Sequence, residues 1–549
     1  MSTPAILSVR DLSVSYRTRR GDAPAVSKVS FDVAAGEVLA VVGESGSGKT
    51  TIAQAVIGLL AENGRIDSGE ILVNGTDVAR WSGKQFESVR GRRIGLIPQD
   101  PNNSLNPVKT IGANLAEVLR IHRFGTPPAI RARVLDLLDR VGIPEPERRS
   151  KQYPHELSGG MKQRVLIANA IALEPELIIA DEATSALDVT VQKHILDLLD
   201  DLRREFGTAI LFVTHDLAVA ADRASRILVL KNGRVQEQGP SVDVLAHPAT
   251  EYTRKLLSDA PSMVARDRDA RSVSRALLET ASDTDRILRV DGLVQEFGRH
   301  RGRPFRAVDS ATFDVVRGTT HAIVGESGSG KTTVARAVAG FRTPTGGTIR
   351  VDGVDVAGLR REQLRQFRRR VQLVYQNPFS SLDPRQSVGD IVSEPLRNFG
   401  IGDRATRAAT VAEFIDRVSL PASALTRLPR ELSGGQRQRV AIARALVLHP
   451  EIVVLDEAVS ALDVTVQAQI LALLERLQAE LGLTYLFISH DLAVVRHIAD
   501  TISVMRNGRI VENGAADEVF DAPTADYTRE LLGAIPGQQL AHTDLENTP

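Results

Sequence analysis

The chain has 549 residues, of which 42% are hydrophobic, enough for several packed domains. Its formal net charge of zero argues against a broad nucleic-acid-binding surface, and the lack of cysteine excludes disulfides, Cys-ligated zinc and Cys-ligated iron–sulfur clusters. No apolar stretch approaches the roughly 18 residues that a membrane-spanning helix needs, so we expect any work at a membrane to go through partners.

An internal repeat organises the chain. Leu7–Leu12 matches Leu288–Leu293, and the offset stays near 280 residues from there on. A polar, charged stretch between the copies is typical of a linker, although Ser274–Glu279 is also compatible with a short extra helix. The predicted segments are a first domain over 1–262, a linker over 263–284, a second domain over 285–537 and a loose tail over 538–549.

Each half opens with strands around a Gly-rich loop, Gly43–Thr50 in the first copy and Gly325–Thr332 in the second. The pattern G-x-x-x-x-G-K-T after an apolar run and before a helix predicts a phosphate cradle of backbone N–H groups. Lys49 and Lys331 should reach the β- and γ-phosphates, and the Thr50 and Thr332 hydroxyls should ligate Mg²⁺. The candidate nucleotide-binding residues of the two loops are Gly43, Ser45, Gly46, Gly48, Lys49, Thr50 and Thr51, and Gly325, Ser327, Gly328, Gly330, Lys331, Thr332 and Thr333.

The rest of each half follows one order of elements. Short strands with turn residues, such as Gly69–Gly75, come after the first helix. A helix-rich middle covers roughly 110–150 and 387–428, and apolar strands then alternate with helices. Continuous apolar strands of this kind predict an α/β fold with a largely parallel, buried sheet.

A glutamine precedes the helical middle in both halves. Gln99 stands in Ile97–Pro101 and Gln376 in Val374–Pro378. An amide side chain can ligate Mg²⁺ and orient a water molecule, and the proline-containing continuation predicts a surface loop that contacts another molecule. An ordinary turn is the alternative interpretation.

Leu-Ser-Gly-Gly precedes a helix in both halves, at Leu157–Gly160 and Leu432–Gly435. A serine hydroxyl with glycine amides at a helix start forms a second anion-binding surface. A simple helix cap is the alternative.

Two apolar strands end in paired carboxylates, Asp181-Glu182 and Asp456-Glu457. Because adjacent strand residues point to opposite sides, one carboxylate can hold Mg²⁺ while its neighbour faces the attacking water. We therefore assign Asp181 and Asp456 to the metal, and Glu182 and Glu457 to the general base.

His215 and His490 close two further strands, and we predict that they contact the γ-phosphate and water. The spacing supports this assignment. The gaps are 23 and 34 residues along both series, Ser158–Asp181–His215 and Ser433–Asp456–His490.

A Ser-Ala-Leu-Asp loop follows each carboxylate pair. Together these motifs resemble those of the ABC ATPases, and the resemblance covers nearly the whole chain. The resemblance implies two tandem P-loop ATPase domains, each with a mostly parallel sheet core, antiparallel strands and a helical subdomain. It also implies an intramolecular pseudo-dimer, with each ATP held between the phosphate loop of one half and the signature of the other. By that resemblance Ser433 and Gly435 complete the site of Lys49, Ser158 and Gly160 complete the site of Lys331, and Tyr16 and Phe297 stack on adenine. A semi-buried structural aromatic is the alternative for these last two.

A narrower resemblance comes from Tyr153–Gly160, Ala186–Gln192, Asn377–Pro384, Tyr252–Leu257 and Tyr527–Leu532. These stretches are similar to ATPase subunits of bacterial dipeptide, oligopeptide and nickel importers, with a "D"-type and an "F"-type subunit fused. The resemblance implies an ATPase that powers peptide import, peripheral on the cytoplasmic face of the membrane, with two transmembrane permease subunits and an extracellular solute-binding protein. No nucleic-acid partner is expected.

The chain departs from the family pattern at a few positions. Ala183 and Ala458 replace the proline that usually follows the catalytic glutamate, and Met161 stands where the second half has Gln436. The cysteine cluster of many relatives is not carried over. Since each half keeps all of its predicted catalytic residues, we predict two hydrolysing sites.

Two alternatives stay open. One is the same machine with another cargo (nickel, glutathione, an oligosaccharide or an antibiotic peptide), because the ATPase does not touch the cargo. A soluble twin-cassette ATPase acting on ribosomes or nucleic acid is the other, although the short linker and zero net charge argue against it.

Overall fold

The computed structural model describes residues 5–19, 21–184, 187–260, 278, 280–300, 303–376, 381–460 and 462–537. The chain divides into two compact units, unit 1 from Met1–Met263 with Pro536–Pro549 and unit 2 from Val264–Ile535. Most of the predicted linker and the whole predicted tail lie outside the described residues.

Unit 1 contains two sheets. The strands are β1 Ala5–Thr18, β2 Gly21–Ala34, β3 Val38–Val42, β4 Gly64–Val73, β5 Thr76–Asp77, β6 Ile94–Ile97, β7 Leu177–Asp181, β8 Ala209–Val213, β9 Arg226–Lys231 and β10 Arg234–Pro240. The helices are α1 Lys49–Val56, α2 Gly83–Phe86, α3 Pro101–Ser104, α4 Ile111–Ile121, α5 Pro127–Arg140, α6 Pro146–Arg149, α7 Gly159–Ala170, α8 Val189–Phe206, α9 Leu217–Arg223, α10 Ser241–Ala246 and α11 Glu251–Ser258.

The order β2-β1-β4-β5 forms an antiparallel sheet, and β10-β9-β3-β8-β7-β6 forms the central sheet. The central strands β9 to β6 run parallel, and β10 pairs with β9 in the antiparallel direction. The predicted α/β fold with a mostly parallel sheet and added antiparallel strands is confirmed for this unit.

Strand β3 shows why the central sheet is buried on both faces. Its residues alternate between two cores, as the period of two requires. Leu39 and Val41 pack toward the antiparallel sheet and α1, whereas Val38, Ala40 and Val42 pack toward the helices. A continuous apolar strand is therefore the sequence signature of its central position.

Unit 2 repeats this arrangement. Its strands are β11 Arg286–His300, β12 Arg303–Val316, β13 Thr320–Val324, β14 Gly346–Val351, β15 Val354–Asp355, β16 Val371–Val374, β17 Ile452–Asp456, β18 Thr484–Ser489, β19 Thr501–Arg506 and β20 Arg509–Ala515. Its helices are α12 Lys331–Val338, α13 Arg361–Arg370, α14 Val388–Phe399, α15 Arg404–Arg417, α16 Gly434–Leu446, α17 Val464–Leu481, α18 Leu492–Ile498, α19 Ala516–Asp521 and α20 Asp526–Leu532. The sheet orders are β12-β11-β14-β15 and β16-β17-β18-β13-β19-β20.

The segment after Gln99 differs from the prediction. We expected a surface loop there, but Pro101–Ser104 forms the short helix α3. Proline at a first helical position costs no hydrogen bond, so Pro101 starts the turn instead of preventing it. The matching residues 377–380 of unit 2 lie outside the described part.

Among the residues that the structure describes, no helix combines the length and the apolar character needed to cross a membrane.

Candidate nucleotide-binding sites

The predicted site residues gather at the carboxyl ends of the parallel strands. The phosphate loop follows β3, Gln99 follows β6, Glu182 follows β7 and His215 follows β8. Open α/β sheets bind ligands at this edge. Unit 2 places Gln376, Glu457 and His490 after β16, β17 and β18 in the same way.

Glycine is required at both ends of the first loop. Gly43 has φ 153° and a Cβ there would lie 2.2 Å from the Leu230 carbonyl oxygen. Gly48 has φ 103°, and a Cβ would lie 2.7 Å from the Ala25 carbonyl oxygen. Side chains at these positions would clash with backbone, so the loop keeps its shape only with glycine.

The loop lysine is buried and turned into its own loop. Lys49 Nζ donates to the carbonyl oxygens of Gly43 and Glu44 at 2.8 and 3.0 Å. Lys331 Nζ makes the same contacts with Gly325 and Glu326 at 2.7 and 2.8 Å. The ammonium group is thus held inside the cradle, where phosphate oxygens can replace carbonyl oxygens.

The cradle also contains a serine hydroxyl that the motif analysis did not select. Within the described residues, Ser47 Oγ and Ser329 Oγ are buried without a hydrogen-bond partner. Buried hydroxyls in proteins are nearly always paired. An anion in each cradle would give the serine hydroxyl there a hydrogen-bond partner, so both loops fit a phosphate group.

Thr50 and Asp181 form the predicted metal pair. Thr50 Oγ1 donates to Asp181 Oδ1 at 3.1 Å, and Thr332 Oγ1 donates to Asp456 Oδ1 at 3.0 Å. Burial raises the pKa of Asp181 to about 6 and also raises the pKa of Asp456. Two adjacent oxygen groups, one of them a carboxylate that burial makes harder to ionise, fit a hard divalent cation such as Mg²⁺.

Glu182 and His215 form a second pair beside it. His215 Nδ1 lies 3.4 Å from Glu182 Oε1, and His490 Nδ1 lies 3.5 Å from Glu457 Oε2. Burial opposes ionisation of Glu182, but the hydrogen bond and charge of His215 outweigh it and lower the pKa of Glu182. The same balance lowers the pKa of Glu457, so both glutamates are held as carboxylates able to accept a proton.

The glutamines contact the glutamates. Gln99 Nε2 donates to Glu182 Oε2 at 2.6 Å, and Gln376 Nε2 donates to Glu457 Oε2 at 2.7 Å. Both amides therefore lie beside the predicted general base. Their predicted ligation of Mg²⁺ stays a prediction.

The two candidate adenine-stacking residues differ in their surroundings. Tyr16 is half-buried, and its hydroxyl lies 3.4 Å from Thr51 Oγ1 on α1. Phe297 is also half-buried, and the guanidinium carbon of Arg342 lies 4.3 Å from the centre of its ring. Their role in base stacking stays a prediction.

The two Leu-Ser-Gly-Gly segments begin α7 and α16. Ser158 Oγ accepts from Met161 N–H at 3.3 Å, and Ser433 Oγ accepts from Gln436 N–H at 3.3 Å. The helix cap named as the alternative is therefore present in both units. The predicted anion-binding surface stays a prediction, and it depends on the glycine N–H groups at each helix start.

Two kinds of comparison place these sites in a family. A sequence model described as "ABC transporter" matches residues 26–185 and 308–460, and one described as "Oligopeptide/dipeptide transporter, C-terminal region" matches 236–283. The chain is 44% identical to the peptidoglycan transport ATP-binding protein YejF of Agrobacterium fabrum over 97% of each chain. It is 41% identical to the oligopeptide transport ATP-binding protein OppD of Mycobacterium tuberculosis, over 97% of this chain and 98% of that protein.

The glutathione import ATP-binding protein GsiA of Salmonella typhimurium is also 41% identical, over 97% of this chain and 89% of that protein. The two ABC transporter matches fall one in each unit, where each covers a phosphate loop and a carboxylate pair. The chain therefore belongs to the ABC transporter family, in its oligopeptide/dipeptide branch, and carries two ATP-binding cassettes in tandem.

Proposed function

We propose that this chain is the ATP-hydrolysing subunit that powers peptide import across the cytoplasmic membrane. The observation that carries the proposal is the duplication of one complete set of groups. Lysine, threonine, aspartate, glutamate, glutamine and histidine make matching contacts in both units. Two intact sets favour two hydrolysing sites over one hydrolysing and one regulatory site.

The chemistry at each site follows from these contacts. The cradle and lysine bind the phosphates of ATP, and Glu182 or Glu457 accepts a proton from the attacking water. The histidine holds that carboxylate in place and ionised, and the glutamine donates a hydrogen bond to Oε2 of the same carboxylate. Thr50 with Asp181, and Thr332 with Asp456, would hold Mg²⁺, which neutralises phosphate charge when bound. Gln99 and Gln376 lie within reach of the same region and are proposed as further ligands.

The organisation of the working enzyme is part of the proposal. The domains are 1–262 and 285–537, joined by 263–284 and followed by the tail 538–549. The halves act as an intramolecular pseudo-dimer in which Ser433 and Gly435 complete the site of Lys49, and Ser158 and Gly160 complete that of Lys331. Tyr16 and Phe297 receive the adenine rings.

The partners are two transmembrane permease subunits and an extracellular solute-binding protein, with the chain peripheral on the cytoplasmic face. The match of residues 236–283 to oligopeptide and dipeptide transporters supports a peptide cargo. Glutathione is the second candidate, because a relative of equal identity to OppD is a glutathione import protein.

An affinity pull-down of the full chain from detergent-solubilised membranes of its own organism tests the partners. Recovery of two polytopic membrane proteins with a solute-binding protein supports the importer, and the ligand of that binding protein identifies the cargo. Recovery of ribosomes or nucleic acid without a membrane subunit overturns it. A Lys49→Ala/Lys331→Ala double variant tests the sites, since it should lose ATP hydrolysis.

A further inference from the structure

A tyrosine from the last helix of each cassette contacts the phosphate loop. The N–H of Glu44 donates to the hydroxyl of Tyr252 on α11 at 3.3 Å. The N–H of Glu326 donates to the hydroxyl of Tyr527 on α20, also at 3.3 Å. Each tyrosine lies about 200 residues after its loop, so the contact is a product of the fold rather than of local sequence.

A cation covers each of these tyrosine rings. Lys231 Nζ lies 4.4 Å from the centre of the Tyr252 ring, and the Arg506 guanidinium carbon lies 4.4 Å from the centre of the Tyr527 ring. Both tyrosines are buried, with 8% and 4% of their surface exposed. Cation–π attraction and burial together restrict where each hydroxyl can lie.

The turn that carries each cation also touches the phosphate loop. Gly233 N–H donates to the Ser47 carbonyl oxygen at 2.9 Å, and Gly508 N–H donates to the Ser329 carbonyl oxygen at 2.9 Å. A Cβ at Gly233 would lie 2.4 Å from the Ala25 carbonyl oxygen, so this turn has no room for a side chain. Each loop is thus held at two points, by a tyrosine at its second residue and by a turn at its fifth.

The strand after each turn holds the start of the helix that carries the tyrosine. Glu237 on β10 accepts from the N–H groups of Ala249 and Thr250 at 2.8 and 3.2 Å. Glu512 on β20 accepts from the N–H groups of Thr524 and Ala525 at 2.7 and 3.2 Å. One hairpin therefore fixes both the loop and the helix, and the chain makes this arrangement twice.

We propose that Tyr252 and Tyr527 are positioning residues that hold each phosphate loop in the shape that binds nucleotide. This inference depends on the proposed role of the loops. Without the hydroxyl, the N–H of Glu44 or Glu326 loses this hydrogen bond, and the first turn of the loop gains other conformations. Part of the binding free energy of ATP is then spent on ordering the loop, so affinity falls while the groups that activate water stay in place.

The test is the Tyr252→Phe/Tyr527→Phe double variant of the full chain, which keeps both rings and both cations. We expect the KM for ATP to rise about threefold to tenfold, the size of one lost hydrogen bond, with kcat within twofold of wild type. The dissociation constant of ATP, measured by calorimetry, should rise in parallel.

Tyr485→Phe is the matched control. Tyr485 is 1% exposed, and its hydroxyl donates to the Leu474 carbonyl oxygen of a helix at 2.9 Å, so the change removes a buried tyrosine bond that does not involve a phosphate loop. It should leave KM at the wild-type value even if it lowers the melting temperature. A rise in KM equal to that of the double variant would mean that general loosening, not loop positioning, is responsible.

Two outcomes overturn the positioning role: a wild-type KM in the double variant, or a fall in kcat at unchanged KM. Failure of the proposed site itself has a different signature. In that case the Lys49→Ala/Lys331→Ala variant hydrolyses ATP at the wild-type rate, whatever the tyrosine variants do.

Discussion

The two units differ in the core beneath nearly identical sites. Leu39 lies fully buried in β3 of unit 1, and the matching position in β13 of unit 2 is His321, 1% exposed. The imidazole nitrogens of His321 lie 2.7 Å from Thr501 Oγ1 and 3.0 Å from Ser503 Oγ, and its ring stacks on Phe313 with centres 4.9 Å apart. In unit 1 the positions matching Thr501 and Ser503 are Arg226 and Leu228.

This difference separates two kinds of constraint. The core accepts a polar trio because the neutral imidazole has one donor and one acceptor nitrogen, and each finds a hydroxyl. The predicted phosphate sites keep the same residues in both units, and the Thr–Asp and Gln–Glu hydrogen bonds recur there. In the core, packing limits the volume and the hydrogen bonding of a side chain. At the candidate sites, the chemistry limits which residue type can stand at each position.

The largest expected effect comes from removing one of the two proposed general bases at a time. Glu182→Gln or Glu457→Gln should each lower the hydrolysis rate at its own site by about 10²–10⁴-fold, because the amide cannot accept the proton from water. The measurement is steady-state ATP hydrolysis at saturating ATP, with nucleotide binding as the control that should persist. A single variant that keeps the full wild-type rate would show that its site does not hydrolyse ATP.

A second comparison concerns the glycines of the Leu-Ser-Gly-Gly segments. A Cβ at Gly435 would lie 2.4 Å from Val466 Cγ1, but a Cβ at Gly160 would lie 3.5 Å from Val191 Cγ1, an ordinary contact. Gly435→Ala should therefore cost about 1–3 kcal/mol of stability through overpacking, and Gly160→Ala should cost much less.

Thermal unfolding of the two glycine variants tests this difference. The single tryptophan of the chain, Trp81, lies in unit 1, so its fluorescence reports that unit while circular dichroism reports both. Gly435→Ala should lower the midpoint temperature of a transition seen by circular dichroism and leave the midpoint temperature seen by tryptophan fluorescence unchanged. Equal losses in the two variants would contradict the packing argument.

The buried histidine predicts that the stability of unit 2 depends on pH. Burial lowers the pKa of His321 to about 3, well below its usual value near 6.5. As the pH falls from about 6.5 toward 3, the unfolded state binds a proton at this histidine and the folded state does not. The free energy of unfolding therefore decreases over this range. Between pH 7 and pH 5 the loss amounts to about 2 kcal/mol.

Denaturant unfolding at pH 7 and pH 5 measures that loss. A His321→Asn variant is less stable at both values but should lose less between them, because asparagine does not titrate. Wild type and variant are compared at both pH values, so that groups titrating in both chains, such as Asp181 with its pKa of about 6, cancel from the difference. An unchanged pH dependence in the variant would assign the effect to other groups.

The smallest expected effect concerns the residue after the second signature glycine. Gln436 Oε1 accepts from Ser433 N–H at 3.1 Å, a bond that Met161 cannot make in unit 1. Gln436→Met should cost about 0.5–1 kcal/mol of unit 2 stability and leave ATP hydrolysis within twofold. A large loss of hydrolysis would instead mean that Met161 weakens the site that its own signature segment is proposed to complete, that of Lys331.

The fold could be predicted from the sequence because the pattern of each element occurs in both copies of the repeat. Apolar strands such as Leu177–Asp181 and the loops at their ends determine a parallel sheet with the polar residues at one edge. Helix α3 was missed, since four residues starting with a proline carry no periodic signal. Sequence alone also did not indicate that Gln99 would contact Glu182, because the direction of a side chain depends on tertiary packing.

Tyr252 and Tyr527 show how far the repeat signal extends. Both begin matching segments near the ends of the two repeats, but their contact with the phosphate loop depends on a hairpin that brings distant segments together. His321 is not among the residues predicted from the sequence, although its sequence context carries a signal. A histidine inside an apolar strand needs polar neighbours in the core, and Thr501 lies opposite it.

The glutamates after β7 and β17 adopt a left-handed backbone, with φ 47° at Glu182 and φ 50° at Glu457. Their N–H groups are tied to the carbonyl oxygens of Val213 and Ile488 on the neighbouring strands. A glycine would occupy this conformation at lower cost, so stability and turnover favour different residues at the same position. With the proposed role of these glutamates, each cassette gives up some folding stability for its carboxylate, and a screen for thermostable variants alone would tend to select chains that no longer hydrolyse ATP.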